Sequence, residues 1–163
     1  MQTFSAWKRI VATLVLIFAL VAGAFTPASA FLDKTRFLAH VGVAYFVFHH
    51  WVMNPYKQGA FAQGAPHRTA ALVKGGVALL FAVHEVRVAE KIAHNSKDPL
   101  LQKLDAGVAG LTTAFASVGQ KMKGGQFNPS DVDNLTNQTQ SVSNDAAQNG
   151  AQIKDVPVAV PGT

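Results

Sequence analysis

Histidine is the residue type best suited to chemistry in this chain, and the spacing of the six histidines limits what they could do. His40 and His84 lie in two apolar segments separated by a loop at residues 55–67. If the segments fold back on each other about that loop, residue 40 lies level with about residue 82, within one helical turn of His84. Two imidazoles facing across an apolar helix pair could ligate haem b or a divalent metal. We keep them as candidate cofactor ligands, beside the alternative that each has only a structural hydrogen bond.

Two further histidine patterns are weaker. His49 and His50 are adjacent, so they point about 100° apart on a helix and cannot chelate one ion together; we expect them to line the solvent-exposed end of a helical bundle. His84 and Glu85 begin like the HExxH motif of zinc proteases, but Val88 stands where the second histidine is needed. That motif is therefore excluded.

Catalytic signatures are otherwise missing from the sequence. Residues 31–127 contain only two serines, Ser96 and Ser117, and neither lies in a G-x-S-x-G motif. Glu90 and His94 share a helix face, which most simply indicates an ion pair at a helix end. The chain has no cysteine, which excludes disulfides, thiolate metal sites and covalently attached c-type haem. We expect a protein that is not an enzyme and, in the first interpretation, holds no cofactor.

The N-terminus has the pattern of a secretory signal peptide. Lys8 and Arg9 precede an uncharged apolar run at residues 10–25, and Ala28 and Ala30 flank Ser29 in the small-x-small arrangement of a cleavage site. We predict that residues 1–30 are a Sec-type signal that is removed on export. The mature protein would then be secreted or associated with the cell envelope.

Four helical segments are predicted in the mature chain. The first covers about residues 33–53, with no charge from Phe37 onward, and the second covers about residues 67–95. Seventeen uncharged residues are the lower limit for spanning a bilayer, and their three histidines favour burial in protein. An alternative remains in which this aromatic first helix inserts into a membrane.

The last two helices have clear starts and apolar seams. Asp98-Pro99 and Asn128-Pro129 each combine an N-cap residue with proline at the first helical position. The third helix has a heptad seam formed by Leu101, Leu104, Val108, Leu111, Phe115, Val118 and Met122. The fourth helix has a weaker seam formed by Val132, Leu135, Thr139, Val142, Ala146, Asn149 and Ile153.

Seams of matching length joined by a short turn at Gly124-Gly125 indicate an antiparallel helical hairpin. The predicted fold class is therefore all-α: helical hairpins forming a small four-helix bundle after a cleaved signal peptide. The bundle domain would occupy residues 31–153. Residues 154–163 contain two prolines and are predicted to be a disordered tail.

Charge is unevenly distributed along the chain. Residues 31–123 hold 11 basic and five acidic residues, whereas residues 124–163 hold Lys154 against four aspartates. A basic body could dock on anionic lipid or cell-wall polymer; alternatively, the acidic segment packs on that body and neutralises it. The basic residues are not clustered with stacking aromatics, so nucleic acid is not expected as a partner.

Together these features favour a small secreted or envelope-associated helical protein with a binding or structural, non-catalytic role. Its partner would be an unknown protein, another envelope component or a membrane surface. The alternatives are a haem- or metal-binding carrier using His40 and His84, and a membrane-seated protein. No motif is specific enough to name a family.

Overall fold

The computed structural model describes residues 28–163. All regular secondary structure among those residues is helical, and none is strand. Residues 33–163 form one compact unit. The predicted signal peptide lies outside the described residues except for Ala28–Ala30, and its removal stays a prediction. The elements are α1 (Ala28–Phe48), a π-helical segment (His49–Met53), α2 (Asn54–Lys57), α3 (Arg68–Asn95), α4 (Pro99–Lys123) and α5 (Pro129–Gln148).

The starts of α4 and α5 lie where the sequence predicts them. Asp98 Oδ1 accepts a hydrogen bond from the backbone N–H of Leu100 at 2.8 Å, and Asn128 Oδ1 accepts one from Ser130 at 3.1 Å. Each bond satisfies a helix N–H that has no partner within its own helix. Both boundaries are therefore confirmed by their cap geometry.

The predicted seams of α4 and α5 form the core between these two helices. All seven predicted seam residues of α4 are buried, as are the first five of α5. The hydroxyl of the one polar seam residue within α5, Thr139, donates to the carbonyl of Leu135 at 2.9 Å, so its burial leaves no unpaired group. The predicted seam of α5 is too long at its C-terminal end. The helix ends at Gln148, Asn149 is exposed, and Ile153 is buried but lies beyond the helix.

Glycine allows α3 and α4 to pack closely. A Cβ on Gly76 would lie 2.8 Å from the carbonyl oxygen of Gly119 and closer still to the backbone N of Lys123. These obstructing atoms are backbone, so they cannot rotate aside. Two other glycines of α4 are less crowded: a Cβ at Gly107 would be 3.0 Å from Val142 Cγ2, and one at Gly110 would find its nearest neighbour at 3.9 Å.

The aromatic helix α1 contacts each of the other three long helices. Its His40 meets Glu85 of α3, the Phe48 ring stacks on Phe115 of α4 at 5.8 Å, and the Tyr45 hydroxyl donates to the carbonyl of Thr139 in α5 at 2.6 Å. Seven of its residues are buried: Phe37, Val41, Gly42, Ala44, Tyr45, Val47 and Phe48. The four long helices thus form a small helical bundle in which α1 is covered largely by protein from Phe37 onward.

Pairs of contacts show that α1 runs antiparallel to α3. Asp33 accepts a hydrogen bond from Ser96, whereas Trp51, near the other end of the first helical rod, lies against Gly75. The rod extends through the π-helical segment and α2 to Lys57, beyond the predicted end at residue 53. The chain therefore reverses later than expected, and His40 meets Glu85 instead of a residue near position 82.

The tail after Ile153 differs from the sequence prediction. We expected residues 154–163 to be disordered, but the Val156 N–H donates to the carbonyl of Gly42 at 3.0 Å and Val160 is buried. Prolines prevent a helix here but do not prevent an extended chain from packing on a preformed surface. That surface is built by helices distant in sequence, so tail composition alone does not reveal it.

Candidate functional site

The candidate ligand His40 is paired with a carboxylate. Its Nδ1 donates to Glu85 Oε2 at 2.7 Å, and the side chains of His40 and Glu85 are 31% and 15% exposed. In a mostly apolar interface, this hydrogen bond gives a polar partner both to the imidazole and to the largely buried carboxylate. The other ring nitrogen, His40 Nε2, takes no part in this hydrogen bond.

His84 lies next to this pair in sequence but faces elsewhere. It is exposed on the outer side of α3, since adjacent helical residues point about 100° apart. A carboxylate that orients an imidazole is a common second partner in metal sites. Among residues 28–163, however, no group of three or more histidine, aspartate or glutamate side chains is arranged to hold a metal ion.

The adjacent pair His49 and His50 lies at the π-helical turn. His49 Nδ1 donates to the Asp155 carboxylate at 2.8 Å, linking the π-helical segment to the C-terminal tail. The His50 ring is exposed and stacks on Phe46 at 5.2 Å between centroids. The two rings therefore have separate partners, in keeping with the argument that they cannot bind one ion together.

Glu90 and His94 do not form the helix-end ion pair that their spacing indicated. Glu90 accepts a hydrogen bond from the Thr112 hydroxyl at 2.9 Å, and His94 Nδ1 donates to Asp105 at 3.1 Å. Both partners lie on α4, which packs beside α3. Interhelical partners replace the local pair because α4 brings polar groups within reach of both side chains.

The acidic and the basic side chains of the C-terminal half of α3 lie on different sides of the helix. Both of its carboxylates, Glu85 and Glu90, bond to neighbouring helices, whereas His84, Arg87 and Lys91 are exposed. Spacings of three and four residues place these three basic side chains on one face. No carboxylate lies in ion-pair contact with Arg87 or Lys91 among the described residues.

One exposed apolar side chain shares this face with the basic residues. Val73 is 36% exposed and lies five turns before Lys91. We call the face formed by Val73, His84, Arg87 and Lys91 the outer face of α3. The sequence alone does not reveal this face, because the inward partners of Glu85 and Glu90 depend on how α3 packs.

The acidic C-terminal segment contacts basic side chains elsewhere in the protein, as one alternative anticipated. Lys121 bonds to Asp131 at 3.1 Å, and His49 bonds to Asp155. Neither contact reaches the outer face of α3. The segment therefore masks part of the basic body and leaves this stripe without a carboxylate.

By length and composition, α3 is the one helix among the described residues apolar enough to cross a membrane, with a mean hydropathy of 1.5 over its best window. Of that window, 44% is buried inside the protein, and the core helix of a globular bundle passes the same test. One helix of this kind does not by itself indicate a membrane span.

Burial acts strongly on one titratable group of α1. The hydroxyl of Tyr45 is buried where it bonds Thr139, and burial, followed by the negative charge of Asp155, raises its pKa above the ordinary range. Both causes penalise the tyrosinate. The side chain is therefore a neutral hydrogen-bond donor that joins α1 to α5.

Comparison with known proteins adds no relative. No protein-family model matches the chain, and neither the curated proteins nor the solved structures include a significant match.

Proposed function

We propose that this protein is an exported, envelope-associated helical protein that acts by binding, without catalysis, and docks on anionic phospholipid through the outer face of α3. One observation carries the proposal: the two carboxylates of α3 bond inward to His40 and Thr112, and its basic residues Arg87 and Lys91 face outward without a carboxylate.

The chemistry of the face favours a lipid surface over a purely polar polyanion. Exposed Arg and Lys side chains attract anionic headgroups, while their aliphatic stems and the exposed Val73 contact the apolar boundary beneath. Each basic residue near an anionic membrane surface contributes about 1 kcal/mol. Two such residues give weak, reversible docking, which suits a peripheral protein better than a permanent anchor.

Vesicle co-sedimentation of the exported protein tests this proposal. We expect binding to vesicles containing phosphatidylglycerol and none to pure phosphatidylcholine. The variant Arg87→Ala/Lys91→Ala should lose roughly 30-fold in affinity, the equivalent of about 2 kcal/mol.

A matched control removes the same charge elsewhere. Lys103 and Lys121 lie on α4, where they bond Asn149 and Asp131, so Lys103→Ala/Lys121→Ala should bind nearly as well as wild type. Equal losses in both variants would show that net charge alone, and not the outer face, drives binding. Binding to a soluble polyanion but not to vesicles would replace lipid with an envelope polymer.

The alternative of a haem or metal carrier has one favourable observation, the orientation of His40 by Glu85 at 2.7 Å. Titration with haemin and with zinc distinguishes it from the docking proposal. A carrier gives a Soret band or saturable zinc binding that is lost in both His40→Ala and His84→Ala. Equal behaviour of wild type and both variants removes the carrier proposal.

A further inference from the structure

The C-terminal tail occupies a groove on α1 and contains no helix, strand or turn between Ala151 and Val160. Its Val156 N–H donates to the Gly42 carbonyl at 3.0 Å, which is the one backbone hydrogen bond between the tail and a helix among the described residues. Pro157 and Pro161 have no N–H to donate. The contact therefore resembles recognition of a proline-rich strand, in which few backbone bonds are supplemented by side-chain contacts.

The floor of the groove requires glycine. A Cβ at position 42 would lie 2.8 Å from Val156 Cγ2 and still closer to the carbonyl oxygen of Lys154. Gly42 lies within α1, where glycine costs about 1 kcal/mol relative to alanine. Because the tail lies so close to α1 at this point, the helix contains Gly42 even though glycine destabilises a helix.

Two further contacts fix the direction of the tail. At its start, Asp155 bonds to His49 at 2.8 Å; near its end, Val160 is buried and Gly162 approaches the side chain of Val77 on α3. His49, Gly42 and Val77 thus meet an acidic side chain, a close stretch of backbone and a glycine near the end of the chain, in that order. We call the groove lined by these three residues the α1–α3 groove.

We propose that the α1–α3 groove is a binding site for extended peptides that carry an acidic residue followed by valines at alternate positions, separated by proline or alanine, and that the tail is its built-in occupant. The occupant itself defines the ligand chemistry. A partner peptide with the same pattern can make the same three contacts in trans.

The tail is held weakly enough to be exchanged. The His49 and Asp155 side chains are 37% and 41% exposed, and ion pairs of such exposure contribute little. Val156 is exposed as well, so much of the tail surface faces solvent. A tethered segment has an effective concentration in the millimolar range. An intrinsic dissociation constant of about 0.1 mM would then keep the groove roughly 90% occupied and weaken a competing peptide about tenfold.

The experiment uses the full chain and a fluorescein-labelled synthetic decapeptide with the sequence of residues 154–163. A tail-release variant, Asp155→Ala/Val160→Asp, alters only the occupant and leaves the groove intact. Fluorescence anisotropy should show the decapeptide binding this variant at least tenfold more tightly than wild type. Adding Gly42→Val to the release variant should abolish binding.

The control peptide carries the same two changes as the tail-release variant and should not bind. Equal decapeptide affinity for wild type and the folded release variant, or no binding to either, overturns the proposal. If the release variant does not fold by circular dichroism, hydrogen exchange in wild type decides. Excess decapeptide should then accelerate exchange of the Val156 amide, and unchanged exchange overturns the proposal.

Discussion

Gly76→Ala should destabilise the protein, although alanine is the better helix former. A Cβ at this position would meet the Gly119 carbonyl oxygen at 2.8 Å and the backbone N of Lys123 at a still shorter distance. Cβ atoms essentially never approach another heavy atom within 3.0 Å, so α3 and α4 must separate by a substantial fraction of an ångström. Their contact is lined by fully buried side chains such as Leu79 and Leu111, and separation loosens packing on both sides.

The expected magnitude follows from two opposing terms. Alanine gains about 1 kcal/mol of helix propensity over glycine. Overpacking of a tight interface costs about 1–3 kcal/mol and more when the obstruction is backbone. We expect a net loss of about 2 kcal/mol, or roughly 6–12 °C in the thermal midpoint for a domain of this size.

A matched control separates the two terms. Gly110 lies inside α4, but a Cβ there would find its nearest neighbour, Gln138 Oε1, at 3.9 Å. Gly110→Ala should therefore gain most of the propensity term, about 0.5–1 kcal/mol. Urea unfolding followed by circular dichroism measures both variants. A Gly76→Ala protein as stable as wild type would falsify the close α3–α4 contact.

The remaining predictions concern the core, pH and export. Leu111→Asp should unfold the bundle, because an unpaired buried carboxylate costs several kcal/mol, whereas Gln140→Asp on the exposed side of α5 should shift the melting temperature little; similar shifts would contradict the seam. Since burial raises the pKa of Tyr45 above its unfolded value of 10.0, its stabilising contribution is complete below pH 10 and is lost as pH rises further. The alkaline fall in unfolding free energy, about 1.4 kcal/mol per pH unit, should weaken in Tyr45→Phe and persist in Tyr56→Phe. N-terminal sequencing of the exported protein should begin at Phe31, and an intact original N-terminus would refute signal cleavage.

Elements with local signals were predicted well from the sequence. Asp98 and Asn128 cap their helices as expected, because an N-cap bonds to N–H groups only two or three residues away. The α4 seam was also predicted in full, since burial with a period of 3.5 is written directly in residue order. The end of α5 was missed by about one turn, because Ile153 is buried by contacts outside any helix.

Contacts between segments were predicted less well. The hairpin arithmetic placed residue 40 level with about residue 82, but His40 meets Glu85 because the first helical rod continues to Lys57. A shift of three residues stays within one turn, yet the neighbouring residue, His84, points about 100° away and faces solvent. The position of the loop predicts which residues of two paired helices lie at the same height. It does not predict how each helix is rotated about its own axis.

The sequence by itself determined the helical class, the starts of α4 and α5 and the buried stripe of α4, because these depend on interactions within a few residues of the chain. Only the tertiary structure decided that the acids of α3 face inward and that residues 154–163 lie on α1 beside Gly42. Both outcomes depend on the axial shift and rotation of helices packed 8–10 Å apart. A change of one residue in either quantity gives a side chain a different neighbour, and no local pattern records that choice.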